Sequence, residues 1–313
     1  MTIPFYDRSL AKSQDLIAEL PGLGYTDLWS AEVNGVDGFV PLALATQWAP
    51  QARLGSAIVP VSTRGPGLLA MSAATLADLA PGRFVLGIGA SSPAIVERWN
   101  AGTFDKPYAR TRDTLRFLKE ALAGEKVSHA YETFEVKGFK LERAPKTPPK
   151  IVLAALRPRM LRLAAAEADG AITNWLSPDD VRKVRGEIGP DTELIARLFV
   201  CVDTDAERVR ETARWMLASY LTVPVYAAFH DWLGRGEVLR PMHEAWAAGD
   251  RRAALKAIPD EVVDALVVHG DAATCRARIK EYMANGLDTP VLAPIPGGDI
   301  PIDQAVRELA PER

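Results

Sequence analysis

The chain has 313 residues, 48% of them hydrophobic, and a formal net charge of −3 at pH 7. This length and composition suit one large globular domain, or two modest ones, with a substantial core. The near-neutral charge gives no reason to expect nucleic acid or an anionic membrane surface as a partner.

Signals for export, membrane insertion and metal binding are missing from the sequence. No apolar run reaches the length needed to cross a bilayer, and residues 1–18 lack the apolar core of a signal peptide. Cys201 and Cys275 lie far apart, and the four histidines are scattered rather than clustered. These features predict a reduced, cytoplasmic protein that has no metal centre.

Apolar, strand-like runs alternate with amphipathic helical patterns from the first residues onward. The predicted strands are Ile3–Tyr6, Tyr25–Trp29, Arg53–Val59, Arg83–Ile88, Lys150–Ala154, Gly170–Thr173, Glu193–Val202 and Thr289–Ala293. The predicted helices are Ser9–Leu20, Pro66–Leu79, Tyr108–Ala123, Pro158–Glu167, Pro178–Glu187, Asp205–Leu221 and Asp271–Asn285. Several strands are continuously apolar, as expected of parallel strands covered on both faces.

Eight strands alternating with helices predict an α/β fold, a (β/α)8 TIM barrel that forms one domain over residues 1–313. Residues 125–149 are an excursion between strands four and five, and residues 222–262 are a helical insertion before the last βα unit. A doubly wound dinucleotide-binding sheet is the competing architecture. It is disfavoured because Ser92 stands at the third glycine of G-x-G-x-x-G and because the motif follows the fourth strand instead of the first.

The stretch GRFVLGIGASSPAIVERWN, residues 82–100, runs from an apolar strand into small and polar residues. In a barrel, chemistry gathers at the carboxyl ends of the strands, and this corner is one such end. Ser91 and Ser92 can offer backbone N–H groups and hydroxyls to a phosphate. Serines at this place could instead cap the segment Pro93–Trp99.

The other strand ends supply hydrogen-bond donors but few acid–base groups. Glu32 and Asn34 follow strand two, and Asn174 follows strand six. One carboxylate is too few for a divalent-metal site, and no Ser-His-Asp grouping can be assembled for a hydrolase. Such a set suits an enzyme whose cofactor brings its own reactivity.

Four blocks of the sequence carry a family resemblance: YTDLWSAEVNG, GRFVLGIGASSPAIVERWN, FDKPYARTRDTLRFLKEAL and AALRPRMLRLAAAEADGAITNW. They resemble the bacterial luciferase-like monooxygenase superfamily, and within it the oxidoreductases that use the deazaflavin coenzyme F420. The resemblance implies hydride transfer between this coenzyme and a small organic substrate, and it permits a homodimer. Members that use flavin mononucleotide (FMN) share the same barrel. An FMN-dependent monooxygenase therefore remains the alternative, as does a non-catalytic member that has lost its cofactor.

The resemblance also implies site residues, position by position. Glu32 matches an acidic position beside the deazaflavin ring, and Asn34 joins it in the catalytic set as a residue that helps to select the substrate. Ala57–Ile58 match a bulge where members hold a non-proline cis peptide bond along the ring. The further cofactor-binding positions are Ala90, Ser91, Ser92, Tyr108, Arg112, Ala154, Ala155, Leu156 and Arg157.

Two positions depart from the family pattern, and they affect the expected substrate and the expected cofactor. Val33 stands where the members that oxidise glucose 6-phosphate carry a histidine, which argues against that sugar phosphate as substrate. Arg157 lies where those members have a glycine, and it could meet the acidic oligoglutamate tail that coenzyme F420 has and FMN lacks. Separately, the charged residue Arg197 lies inside the apolar predicted strand LIARLFVCV. It needs a buried partner, which we expect to be a carboxylate.

Overall fold

The structure, a computed structural model, describes residues 1–311. They form two compact units. The first unit comprises Met1–Ala155 and Arg162–Ile172, and the second comprises Leu156–Leu161 and the described residues from Thr173 onward. The assignment of the whole chain to one domain stays a prediction.

Strands and helices alternate along the chain, as the sequence predicts. The strands are β1 Asp27–Ser30, β2 Arg53–Ser56, β3 Val59–Pro60, β4 Phe84–Gly89, β5 Val127–Ala130, β6 Glu135–Phe139, β7 Lys150–Ala154, β8 Gly170–Asn174, β9 Glu193–Val202, β10 Val267–Gly270 and β11 Thr289–Pro294. The helices are α1 Gln14–Glu19, α2 Val40–Trp48, α3 Pro66–Leu79, α4 Pro107–Leu122, α5 Pro158–Glu167, α6 Pro178–Ile188, α7 Ala206–Leu221, α8 Pro224–Trp232, α9 Gly236–Ala247, α10 Arg251–Lys256, α11 Asp260–Leu266, α12 Ala272–Ala284 and α13 Ile302–Glu308. A 3-10 turn, Ala11–Ser13, precedes α1, and a π-helical turn, Ala94–Trp99, follows β4.

The strands of each unit pair in parallel, apart from one hairpin. In the first unit β1 pairs with β2, β2 and β3 pair with β4, and β4 pairs with β7. In the second unit β9 pairs with both β10 and β11. All six residues of β4 are buried, as are nine of the ten residues of β9. This burial explains the continuously apolar runs.

One predicted strand is wrong, and several elements were not predicted, among them a helix and a strand of the barrel. Ile3–Tyr6 is not a strand: Thr2 forms a single bridge to Trp29, and Pro4 has no N–H with which to extend the pairing. The helix α2 and the strand β10 were not predicted. The four residues of β10 follow α11 directly, so their valines continue the helical spacing of apolar residues and hide the change of structure.

The two irregular segments have their own structure. The excursion 125–149 contains the antiparallel hairpin β5–β6. The insertion 222–262 is helical, as predicted, and its helices α8–α11 extend to Leu266. Leu239 of α9 and Val263 of α11 lie in one buried cluster with Leu217 of α7. None of the helices within residues 1–311 is both long enough and apolar enough to cross a membrane.

Candidate active site

A bulge separates β2 from β3, and the peptide bond Ala57–Ile58 within it is cis, as the resemblance implies. Gly55 pairs with Val85 of β4, whereas Val59 pairs with Ile88. From Gly55 to Val59 the bulged chain advances four residues, whereas β4 advances only three residues opposite it. The predicted single strand is divided at this point because an extra residue leaves the ladder and turns the chain.

Two glycines of β4 make room for the bulge. A Cβ atom at Gly87 would lie 1.9 Å from the carbonyl oxygen of Ser56, and one at Gly89 would lie 2.6 Å from Cβ of Ala154 and 3.1 Å from Cδ1 of Ile58. The Ser56 hydroxyl donates to the carbonyl of Gly87 and accepts from its N–H, both at 2.9 Å. The Gly-Ile-Gly sequence therefore allows the bulge to approach β4 closely.

Glu32, Ile58 and Ala154 lie in one row at the carboxyl ends of the strands of the first unit. The N–H of Glu32 donates to the carbonyl of Ile58 at 3.3 Å. Ile58 and Ala154 both lie close to Gly89, the last residue of β4 before Ala90. The structure thus brings together four of the chain segments that the resemblance implies for the cofactor.

The carboxylate of Glu32 is held at both of its oxygens. Oε1 accepts a hydrogen bond from the guanidinium of Arg64, and Oε2 accepts one from the N–H of Gly38 at 2.9 Å. Arg64 also donates to Asp37 at 2.8 Å. The side chains of Glu32 and Arg64 are 16% and 18% exposed. The row therefore begins with a carboxylate of fixed orientation that has a cation beside it.

Ser91 forms the turn by which the chain leaves β4. Its φ of 66° lies in the left-handed region, which non-glycine residues adopt rarely and often at functional sites. Within residues 1–311 the backbone N–H groups of Ser91 and Ser92 donate to no acceptor. The Ser92 hydroxyl accepts a long hydrogen bond, 3.4 Å, from the N–H of Ile95, so capping engages this side chain weakly. The corner offers two N–H donors that suit a phosphate oxygen.

Several predicted residues lie outside this row. Asn34 is exposed in the loop between β1 and α2. Ala155 is buried, and its N–H donates to the carbonyl of Ile172 at 3.0 Å. Leu156 and Arg157 follow in the chain and belong to the second unit, with Arg157 exposed. Their roles in cofactor and substrate binding stay predictions.

Tyr108 and Arg112 lie in the first two turns of α4. Tyr108 is half-buried. Arg112 binds two carboxylates, that of Asp113 at 2.8 Å and that of Glu132 in the turn between β5 and β6 at 2.9 Å. This predicted cofactor-binding residue therefore already binds two acidic side chains, and any anion of a cofactor has to compete with them.

Arg197 in the second unit has different partners from the carboxylate that the sequence led us to expect. Burial lowers the pKa of its guanidinium, and the groups that act on it are the phenols of Tyr220 and Tyr226. It also lies over the ring of Phe199, 4.8 Å from the centroid. Tyr226 in turn donates to the side-chain oxygen of Asn174 at 3.0 Å. Phenols and aromatic rings stabilise this buried cation.

The family model for luciferase-like monooxygenases matches residues 6–289. The chain belongs to the luciferase-like monooxygenase family. The chain is 27% identical over 300 residues to 5,10-methylenetetrahydromethanopterin reductase of Archaeoglobus fulgidus, a match that covers 90% of this chain and 88% of the relative. It is 24% identical over 277 residues to the F420-dependent glucose-6-phosphate dehydrogenase of Mycolicibacterium gilvum, with 80% and 77% covered.

The fold of this luciferase-like chain also matches a solved structure. The coenzyme F420 dependent tetrahydromethanopterin reductase of Methanopyrus kandleri superposes with a TM-score of 0.78 over 99% of this chain and 96% of that one, at 20% sequence identity. The likeness confirms the predicted α/β TIM-barrel fold. The predicted family is confirmed by the family model.

Sequence reasoning missed one side-chain contact of the candidate site in the first unit and, separately, one backbone feature of the second unit. The hydrogen bond from Arg64 to Glu32 joins residues 32 positions apart, and no local sequence pattern predicts it. Trp175, directly after β8, has a φ of 53° and stacks on Phe199 with ring centroids 3.9 Å apart. Its position after a strand was visible in the sequence, but its left-handed backbone was not.

Proposed function

We propose that this protein is a coenzyme F420-dependent oxidoreductase that transfers hydride between the deazaflavin and a small organic substrate. The observation that carries the proposal is the corner at Ser91 and Ser92, whose backbone N–H groups have no acceptor within residues 1–311. The corner continues from the strand end where Gly89 meets Ile58 and Ala154. Two relatives named above use F420 according to their names, and they supply the choice of cofactor.

The residues of the row would hold the coenzyme by its two ends. Ser91 and Ser92 would donate to the phosphate, and the bulge at Ala57–Ile58 would lie along the ring. Glu32 would accept a hydrogen bond from the ring, with its orientation kept by Arg64. When bound, the deazaflavin supplies a ring carbon that gives or takes hydride. The protein contributes orientation and the exclusion of water.

Titration of the purified chain with coenzyme F420 and, separately, with FMN tests the proposal. We expect saturable quenching or enhancement of deazaflavin fluorescence with one site per chain, and much weaker binding of FMN. Retention of FMN without binding of F420 would favour the monooxygenase alternative. Failure of both titrations would favour a member of the family that has lost its cofactor.

A charge-neutral variant tests the position of Glu32. We expect Glu32→Gln to raise the Kd for F420 roughly tenfold, because a hydrogen bond to a charged group contributes about 1.5 kcal/mol or more. Asp37→Asn is the matched variant, since it neutralises the more exposed carboxylate on the same arginine. We expect it to change the Kd less than threefold. An equal effect of both substitutions in fluorescence titration would assign the change to Arg64 instead of Glu32.

We also propose that the protein is a homodimer that pairs through the outer faces of α2 and α3. These two helices contain one charged residue, Asp78. Their exposed apolar side chains are Val40, Leu44, Leu68, Met71 and Leu79. A helix that is apolar on all sides is normally buried, so these faces call for a covering partner.

Introducing a charge on this surface tests the homodimer. We expect the chain to elute as a dimer in size-exclusion chromatography with light scattering, and Met71→Glu to elute as a monomer. Trp215→Glu is the control, because Trp215 is 69% exposed on α7 in the second unit. A monomeric wild type, or an equal response to the control, contradicts this proposal.

A further inference from the structure

A polar cavity of about 400 Å³ lies in the first unit, beside the amino end of α4. Its lining includes Ser62, Thr103, Lys106 and Arg110, together with Glu132 in the turn between β5 and β6. A site of this volume is large enough for several carboxylate or phosphate groups.

The cavity adjoins the serine corner through two chain segments. Ser62 follows Val61, whose N–H donates to the carbonyl of Gly89 at 2.9 Å. In the segment that leads to Thr103, the N–H of Val96 donates to the carbonyl of Ser92 at 2.9 Å, and the N–H of Gly102 donates to the carbonyl of Val96 at 2.8 Å. Hydrogen bonds therefore link the segments that carry Ser62 and Thr103 to the chain at and just after the end of β4.

Glu132 already shows how a carboxylate binds here. Its two oxygens lie 3.5 Å from Nζ of Lys106 and 2.9 Å from the guanidinium of Arg112. Hydrogen bonds from Arg112 and the opposite charge of Lys106 lower the pKa of this carboxyl. The side chain of Glu132 is 47% exposed at the tip of a hairpin. It can leave for solvent at small cost if another carboxylate takes its place.

Arg110 supplies an additional donor. Its guanidinium lies 4.6 Å from the ring centroid of Phe134, and its Nε is buried without a hydrogen-bond partner among the described residues. Burial lowers the pKa of Arg110, but an arginine guanidinium stays charged at neutral pH. Asp105 is the other carboxylate in the cavity lining, and the buried carboxylate of Asp113 acts on Arg110 from outside the lining.

We propose that this cavity, named here the α4 cavity, binds carboxylates of the oligoglutamate tail of coenzyme F420, and that Glu132 occupies the place of one tail carboxylate until the coenzyme binds. This inference rests on the proposed function, because it requires the deazaflavin to be the cofactor. It assigns to Lys106, Arg110 and Glu132 a role in distinguishing the acidic coenzyme from flavins that lack such a tail.

The test compares two forms of the coenzyme: the full F420, and the form that keeps the phosphate but lacks the glutamates. We expect Lys106→Gln to raise the Kd of the full coenzyme about three- to tenfold, and Glu132→Gln to lower it by a similar factor. Both variants should leave the Kd of the form without glutamates unchanged within twofold. Both side chains are about half exposed, so both variants should fold.

Lys146→Gln is the matched control, an exposed lysine of the same excursion outside the cavity lining. Free glutamate and inorganic phosphate, added as competitors, show whether the cavity takes any anion or requires the tethered tail. The inference is overturned alone if both forms bind but neither variant discriminates between them, or if Lys146→Gln acts equally. If neither form binds to the wild type, the proposed function fails and this inference fails with it.

Discussion

Gly87→Ala is expected to abolish measurable deazaflavin binding and to lower the free energy of unfolding by about 3 kcal/mol. The added methyl would lie 1.9 Å from the carbonyl oxygen of Ser56, well inside van der Waals contact. Overpacking of this kind usually costs 1–3 kcal/mol, and here it also breaks the paired hydrogen bonds between Gly87 and Ser56. The bulge would have to move, and Ile58 with it. Thermal unfolding and F420 titration measure the two effects.

Gly186→Ala provides the control for this prediction. Gly186 is an exposed residue inside α6, and no atom lies within 4 Å of a Cβ placed there. Alanine in a helix interior is favoured over glycine by roughly 0.5–1 kcal/mol, so this variant should be slightly more stable than the wild type and bind F420 normally. Normal binding by Gly87→Ala would show that the bulge does not position the cofactor.

Asp113→Asn is expected to cost about 3 kcal/mol of stability at pH 7. Asp113 is 1% exposed and joins α4 to the β5–β6 hairpin. One of its oxygens accepts from Arg112 at 2.8 and 3.1 Å, and the other accepts from the N–H and hydroxyl of Thr133 at 3.0 and 2.9 Å. An amide would turn one acceptor into a donor that faces another donor. Denaturant unfolding measures the loss, with the exposed Asp78→Asn of α3 as control.

The stabilisation that the carboxylate of Asp113 provides is expected to depend on pH. Burial by itself would raise the pKa of Asp113, but the hydrogen bonds from Arg112 and Thr133 outweigh burial and lower it. A lowered folded-state pKa means that the stabilisation is complete above the unfolded pKa, near 4, and is lost as the pH falls through the folded value. The difference in stability between wild type and Asp113→Asn should therefore be largest at neutral pH and shrink below about pH 4. A constant difference down to pH 2 would contradict the assignment.

The parts of the fold that the sequence predicts well are those governed by local pattern. The strands β4, β7 and β9 are apolar runs of five to ten residues, and they were placed within one residue at each end. Short elements such as β10 were not predicted. Its four residues show too little periodicity of apolar residues to be distinguished from the helix that precedes them. The hairpin β5–β6 was also not predicted, because its strands are largely exposed and lack a buried face that would produce an apolar pattern.

The candidate site also has features that the sequence predicted and features that only the structure shows. Ser91 and Ser92 were identified by their place after an apolar strand, and the cis peptide at Ala57–Ile58 was implied by the resemblance and is confirmed. The partners of Glu32 and Arg197 were not foreseen. A hydrogen bond between Glu32 and Arg64 depends on how two loops approach each other, and that approach is set by packing over the whole unit.

The sequence by itself therefore determined the fold class and the strand ends where the candidate site residues lie, because the period of apolar residues and the position of small residues are local properties of the chain. The family followed from the resemblance of four sequence blocks, which are local as well. Only the tertiary structure decided which side chains meet: the approach of Gly87 to Ser56, the cation beside Glu32, and Glu132 lodged between Lys106 and Arg112. Such contacts join residues distant in sequence, and their energies arise from burial and distance, which exist only once the chain has folded.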